Sequence, residues 1–242
     1  MTVVNPPPGV GSKRAARARA TRRRIAEAAL ARFSGHGYPA TTMEAIAADA
    51  GVAVQTVYFV FHTKAELLVA ALTVAGGGPG EPEEVTAREW LAKVAAAPSG
   101  PRRLALIVEH GNEIYRRIGP LLPAVQAAAS VDPDVATAWQ AVVRRRRADM
   151  GRAIDDLFVR RGELREGLDP GLALDLLFGL HRAETYLAFT LECGWSMARY
   201  KAWQFTTLAR ALLPAADAAA AGSPASPDVA DLSFAVELAA FR

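Results

Sequence analysis

The stretch TTMEAIAADAGVAVQTVYFVFHTKAELL, Thr41 to Leu68, constrains the fold more than any other part of the chain. Met43, Ile46, Ala47 and Ala50 recur at i, i+3, i+4 and i+7, which puts them on one face of a helix. Thr42 stands at the N-cap, where its hydroxyl can accept an otherwise orphaned backbone N–H, and Glu44 in the first turn complements the helix dipole. Gly51 relieves the strain of a sharp turn, Val52 plugs the corner, and a second helix follows from about Ala53 to Val60. Thr63 and Glu66 then form a capping box for a third. The spacing predicts a helix-turn-helix with a supporting helix behind it.

Upstream, Ile25, Ala28, Ala29, Leu30 and Phe33 give a preceding helix, ended by Gly35 or Gly37. Lys13 to Arg24 is a basic arm leading into it. Charge is divided unevenly: residues 1–64 carry +6 and the remainder −3, although the whole chain is only +3. A basic end joined to a mildly acidic body is expected when one part meets a polyanion and the other does not. A helix fits the major groove of duplex DNA, short polar side chains near its start can reach base edges, and neighbouring groups can hold phosphates. Gln55 is the best base-reader, since its amide can donate to N7 and accept from N6 of adenine. Val54 and Phe59 lack hydrogen-bonding groups and would favour thymine methyls, or else pack in the core. Tyr58 is either a phosphate donor or a buried aromatic.

Over residues 21–72 the chain resembles the DNA-binding domain of the TetR (tetracycline repressor) family of transcription regulators. The joint spacing of Thr42, Ile46, Ala47, Ala50-Gly51-Val52, Thr56, Tyr58, Phe61 and Lys64 carries the resemblance. It implies phosphate contacts from Thr42 and Lys64, backbone contacts from Thr56 and Tyr58, and a groove-facing set of Val54, Gln55 and Phe59. Arg22 and Arg23 of the basic arm are further candidate DNA contacts on charge grounds. The chain departs from the family pattern at three positions. Ala53 replaces a common capping Ser, Gln55 a common Gly, and Val60 a common phosphate-binding His. The helix from Ala53 to Val60 should therefore lean on Val57 and Phe61 for its packing, with the arm offsetting the absent His.

The rest reads as helices throughout, so the expected fold class is all-α. Ala75-Gly-Gly-Gly-Pro-Gly-Glu-Pro breaks the chain. Helices are expected from about Val85 to Ala97, Arg102 to Ile118, Pro133 to Arg161, Pro170 to Cys193, and Ser196 to about Leu213. The expected organisation is a disordered basic arm over 1–20, a helix-turn-helix domain over 21–75, a larger helical domain over 85–213 and a flexible tail over 214–242, within which Val229 to Phe241 could form a weak helix. Leu172, Leu176, Leu180, Leu187 and Leu191, with Tyr186 at the edge, stripe one late helix; Tyr200, Trp203, Thr207, Leu208 and Leu212 stripe the next. Asp175 to Trp203 also resembles the dimerisation region of TetR-like proteins, which makes Leu176, Leu180, Tyr186, Tyr200, Trp203 and Leu208 candidate interface residues of a homodimer. A two-fold dimer would meet a palindromic operator.

The resemblance further implies a small-molecule effector held among the middle helices. His110, Trp139, Arg146 and His181 are the candidates; for His110 and His181 a satisfied core or interface histidine is the favoured reading, and Trp139 is a pocket wall or a core residue. Arg146 shares the apolar face of Val135, Trp139, Val142, Met150 and Ile154, and a guanidinium drawn inward needs a partner. An internal salt bridge to Glu113 or Glu184 is the favoured reading, an acidic ligand group the other. No phosphate-cradling glycine loop, GxSxG or HExxH is present, and four scattered histidines with one cysteine suggest neither a metal site nor a cofactor. No run of ~18 apolar residues suggests a membrane span, and a single cysteine fits a cytoplasmic location. The expected protein is a non-enzymatic, ligand-released repressor that binds double-stranded DNA as a homodimer. The alternative is a non-catalytic ligand-binding or protein-interaction bundle with impaired DNA binding.

Overall fold

The computed structural model describes residues 10–77, 83–223 and 226–241. Every regular element among them is helical. In chain order these are α1 (Val10–Ala40), α2 (Met43–Asp49), α3 (Val54–Val60), α4 (Lys64–Gly77), α5 (Glu83–Ala95), α6 (Gly100–Ile118), α7 (Leu122–Val131), α8 (Pro133–Ile154), α9 (Pro170–Leu180), α10 (Ala183–Leu187), α11 (Met197–Leu212) and α12 (Ala215–Ala221). Two π-helical turns, Asp155–Val159 and Ala188–Glu192, extend α8 and α10. Among the described residues no single helix is long and apolar enough to cross a membrane.

Two compact units form. Of the described residues, the first takes those up to Ala75 together with 120–140, and the second those of 76–119 and from Ala141 onward, so α8 is divided between them at Gln140. A single cut after Ala75 therefore misplaces α7 and the first turns of α8. The arm also differs from expectation. Residues 10–20 are the first turns of α1, while residues 1–9 lie outside the described set. Lys13 to Ala20 is alanine- and arginine-rich, and both residue types propagate a helix well once a neighbouring segment has nucleated it.

In the first unit, α2 and α3 meet at 107°, the open angle of a helix-turn-helix. Gly51 has φ 61°, a left-handed conformation that L side chains rarely adopt. Ile25, Ala29, Phe33, Ile46, Ala47, Val57, Phe61, Leu67 and Leu68 are buried and form the core under this corner. α1 continues past Gly35 and is broken at Gly37, which has φ 76°.

In the second unit, α6 packs against α5, α10, α11 and α12, and α11 against α9 and the C-terminal segment. The tail expected to be loose is packed: α12 and a 3₁₀ turn at Ala235–Phe241 follow Pro214, and Val229, Phe234 and Leu238 are buried in the same core cluster as Phe205 and Leu208. The helix expected from Pro170 to Cys193 is in fact interrupted at His181 and Arg182. Side chains from other helices hold the carbonyls freed by that break.

Candidate nucleic-acid interface

Each capping residue sits where its chemistry is needed. The Thr42 hydroxyl accepts from the Ala45 N–H at 3.2 Å, leaving its own O–H able to donate outward. The Thr63 hydroxyl accepts from Glu66 N–H at 3.1 Å. Glu66 departs from the reciprocal capping box, because its carboxylate accepts from the His62 N–H, one residue before the cap, at 3.2 Å. Ala53 supplies no side-chain cap to α3, and the helix is anchored by fully buried Val57 and Phe61.

α3 turns a mixed polar and aromatic face outward. Gln55 is exposed, Val54 and Thr56 are half-buried, Tyr58 is 48% exposed and Phe59 is 83% exposed. An aromatic ring left so open on a seven-residue helix contributes little to its own core. With half-exposed Tyr58 beside it, the ring leaves an aromatic edge open on α3. Val54 and Phe59 are thus both available to apolar groups of a partner, Phe59 far more so.

The basic residues divide by task. Arg22 Nη1 donates to the Val60 carbonyl at 2.9 Å and its guanidinium stacks 4.2 Å from the centre of the Phe61 ring, so it fastens α1 to the end of α3. Arg22 thus braces α1 against α3 while the residue itself stays exposed. Arg23 pairs with Glu27 at 2.8 Å. The Lys64 ammonium lies 4.2 Å from the centre of the Tyr38 ring. Desolvation lowers the Lys64 pKa, and nearby Asp132 opposes that shift. The Tyr38 hydroxyl donates to Asp132 at 2.9 Å, and Asp132 in turn accepts from the backbone N–H groups of Asp134 and Val135 at the start of α8. Nothing in the spacing of Tyr38 and Asp132 signals this pairing, since 94 residues separate them.

The second unit places Arg146 and His181 together at a buried polar centre. Tyr115 donates its hydroxyl to the His181 carbonyl at 2.7 Å, Arg146 donates to that same carbonyl and to the Tyr115 oxygen, and Gln204 Nε2 donates to the Leu180 carbonyl at 2.8 Å. These are the carbonyls that a continuous α9–α10 helix would have satisfied internally. Gln204 Oε1 accepts from Asn112 Nδ2 at 2.7 Å and faces His181 Nδ1 at 3.1 Å, which assigns the proton to Nδ1. Burial, reinforced by Arg146, lowers the His181 pKa to about 3, so the imidazole is neutral. Burial likewise pushes the Tyr115 hydroxyl up to about 12. Asn112 Oδ1 is buried and has no hydrogen-bond partner among the described residues.

Arg146 does not pair with either expected acid. Glu184 is taken by Arg182 at 2.8 Å, and Glu113 by Lys201 and Arg116, each at 3.0 Å. Lys201, only 1% exposed, is held between Glu109 and Glu113. The sequence signal for this triad is an i, i+4 pair of acids on α6 and a lysine on an otherwise apolar stretch of α11. His110 stacks on Trp90 with ring centres 4.6 Å apart, and burial lowers its pKa. Trp139 falls in the first unit, whereas the other three effector candidates belong to the second.

Of the candidate interface residues, Tyr200 and Leu208 are fully buried in the second unit's own core and present no outer face. Leu208 is covered by the C-terminal segment, sharing a cluster with Val229, Phe234 and Leu238, whereas Tyr200 packs against Tyr186, Phe189 and Trp203. Leu176 and Leu180 are partly buried against that core. Tyr186 and Trp203 join Phe189, Trp195 and Tyr200 in an aromatic cluster that remains partly open.

A helix-turn-helix with an exposed α3 face, followed in the same chain by a larger helical unit, is the organisation of a DNA-binding transcription regulator. Residues 25–71 match the family of bacterial regulatory proteins, tetR family, and residues 102–190 match the tetracyclin repressor-like C-terminal domain. The chain belongs to the TetR family. It is 34% identical over 142 residues to the HTH-type transcriptional repressor KstR of Mycolicibacterium smegmatis, a match spanning 59% of this chain and 63% of that one. A TetR-family transcriptional regulator from Mesorhizobium loti superimposes with a TM-score of 0.62 at 25% identity, covering 81% of this chain and 98% of that one. SmeT of Stenotrophomonas maltophilia, solved in complex with triclosan, shares the fold with a TM-score of 0.59 at 23% identity, covering 82% and 94%.

Proposed function

We propose that this chain is a ligand-released, homodimeric repressor that binds a palindromic DNA operator. The observation that carries the reading is the outward face of α3, where Gln55, Thr56, Tyr58 and Phe59 are left out of the core. In this reading Gln55 reads an adenine, Val54 and Phe59 contact thymine methyls, and Thr42, Thr56, Tyr58, Lys64 and Arg23 hold phosphates. The repressor relatives KstR and SmeT support the direction of regulation.

The effector is assigned to the second unit, around Arg146, His181 and His110, where Asn112 Oδ1 is an open acceptor. The complex of SmeT with triclosan supports a small molecule as the class of effector. Effector binding favours a state in which the two recognition helices of the dimer no longer match successive half-sites. Because coupling is reciprocal, operator DNA weakens effector binding by the same factor. A gel-shift series with DNA selected from a random pool tests the reading: a specific, salt-sensitive shift that Gln55→Ala and Thr56→Ala weaken is expected. No such shift, or variants indistinguishable from wild type, would sink it.

A further inference from the structure

We propose that the N-terminal turns of α1 form a rigid basic rail, Lys13, Arg14, Arg17, Arg19 and Arg24, that grips the phosphate backbone of duplex DNA flanking the recognised bases. The rail rests on the DNA-binding reading of α3 and adds an element that the helix-turn-helix does not contain.

Three observations converge on it. Every residue from Lys13 to Ala20 is exposed, so this part of the helix is held by no core of its own. From Met1 to Ala26 the sequence contains seven Lys or Arg and no Asp or Glu, and among the described residues no carboxylate pairs with any of the five rail cations. Arg22, between them, ties α1 to the carbonyl of Val60 and the ring of Phe61 at the end of α3, which makes the rail a fixed continuation of the recognition corner.

The electrostatics of the free helix are unfavourable. Cations at i, i+3 and i+4, such as Arg14 with Arg17 and Lys13 with Arg17, repel one another. They also crowd the positive end of the helix dipole, where anions are preferred. A polyanion relieves both effects at once. Lys13, Arg17 and Arg24 share one side of the helix, and the span from Lys13 to Arg24 is about 16 Å. Duplex DNA presents on the order of ten phosphate charges over that length. Ala15, Ala16, Ala18 and Ala20 are the apolar residues among these cations, too small a hydrophobic face for insertion into a membrane surface.

The test uses the full-length protein with three probes: a duplex recovered by selection and carrying long flanks, the same duplex trimmed to the recognised bases, and a random-sequence duplex of the longer length. Affinity is followed by fluorescence anisotropy from about 0.05 to 0.2 M salt. Lys13→Gln/Arg14→Gln/Arg17→Gln is expected to weaken binding to the long duplexes at least about tenfold. The slope of log K against log salt should fall by about 0.9 for each phosphate that the variant no longer neutralises. Binding to the trimmed duplex and the preference among sequences stay as in wild type. Ala20→Pro should reproduce the weakening, because proline is accepted at the first position of a shortened helix but ends the turns before it.

An unchanged salt slope in the triple variant overturns the rail, and so does wild-type binding by Ala20→Pro, which would make the segment a flexible arm. Failure of the operator reading looks different. A slope change on random duplex with no selected site supports the rail and removes the repressor, whereas specific binding with an unchanged slope does the reverse.

Discussion

The two units handle polarity in opposite ways. The first leaves an aromatic ring, Phe59, 83% exposed beside a half-exposed Tyr58. The second buries His181, Gln204 and Asn112 in a hydrogen-bonded centre. An open hydrophobic side chain forgoes burial energy, and a buried polar atom costs stability wherever it lacks a partner, as Asn112 Oδ1 does. Each departure from the ordinary pattern is maintained by a rigid frame: fully buried Val57 and Phe61 under the first, the crossing of α6, α8 and α11 around the second. The lesson is that surface substitutions in the first unit should alter binding, while substitutions in the polar centre should alter stability.

The sharpest break of that comparison is Gly111→Ala. A Cβ at Gly111 would lie 2.1 Å from His181 Nε2, so the imidazole must leave its bond to Gln204. A destabilisation of about 1–3 kcal/mol is expected, read as a Tm lower by roughly 2–4 °C for each kcal/mol. Anisotropy measured at low temperature should show DNA affinity retained.

Phe59→Ala is expected to do the converse. With little buried area to lose, its stability should stay within about 0.5 kcal/mol of wild type, while operator affinity falls by roughly tenfold, the lower end of a good base contact. A Tm decrease comparable to that of Gly111→Ala would erase the distinction between the units.

The pH dependence follows from His181. Its folded pKa, about 3, lies below the ordinary 6.5, so the unfolded chain binds a proton more readily. The stability held by the neutral ring is therefore complete above pH 6.5 and drains away as pH falls toward about 3. The lowered acids Glu113 and Glu184 weaken the fold only as pH falls below their ordinary 4.5. The window between pH 6.5 and about 5 thus belongs to His181 and, with the same sign, His110. Urea titrations of His181→Gln across that window should give a shallower slope than wild type.

The smallest expected effect is a gain. Ala53→Ser restores the cap that α3 lacks and should stabilise the first unit by about 0.5–1 kcal/mol, seen as a higher urea midpoint.

Local chemistry makes the first unit legible from sequence. Thr42, Gly51 and Thr63 act within a few residues of themselves, so spacing alone places α2, α3 and α4. The second unit depends on partners distant in sequence. The break at His181 is stabilised by Tyr115, Arg146 and Gln204 on three other helices, and no local pattern distinguishes it from the middle of a continuous apolar helix. The same holds for Arg146, whose inward direction follows from its periodicity but whose hydroxyl and carbonyl partners do not. The C-terminal segment misleads for a compositional reason. Alanine-, proline- and serine-rich stretches resemble loose tails, yet Val229, Phe234 and Leu238 are enough to seat this one on the core.

Base reading by the exposed face of α3, as proposed above, is decided by measuring wild type and Gln55→Ala against a selected site in which each base pair is replaced in turn. Gln55→Ala is expected to lose about 1–3 kcal/mol of discrimination at one A·T pair per half-site and none elsewhere, with an unchanged Tm. Discrimination identical to wild type at every position, or a uniform weakening across all sequences, would contradict it.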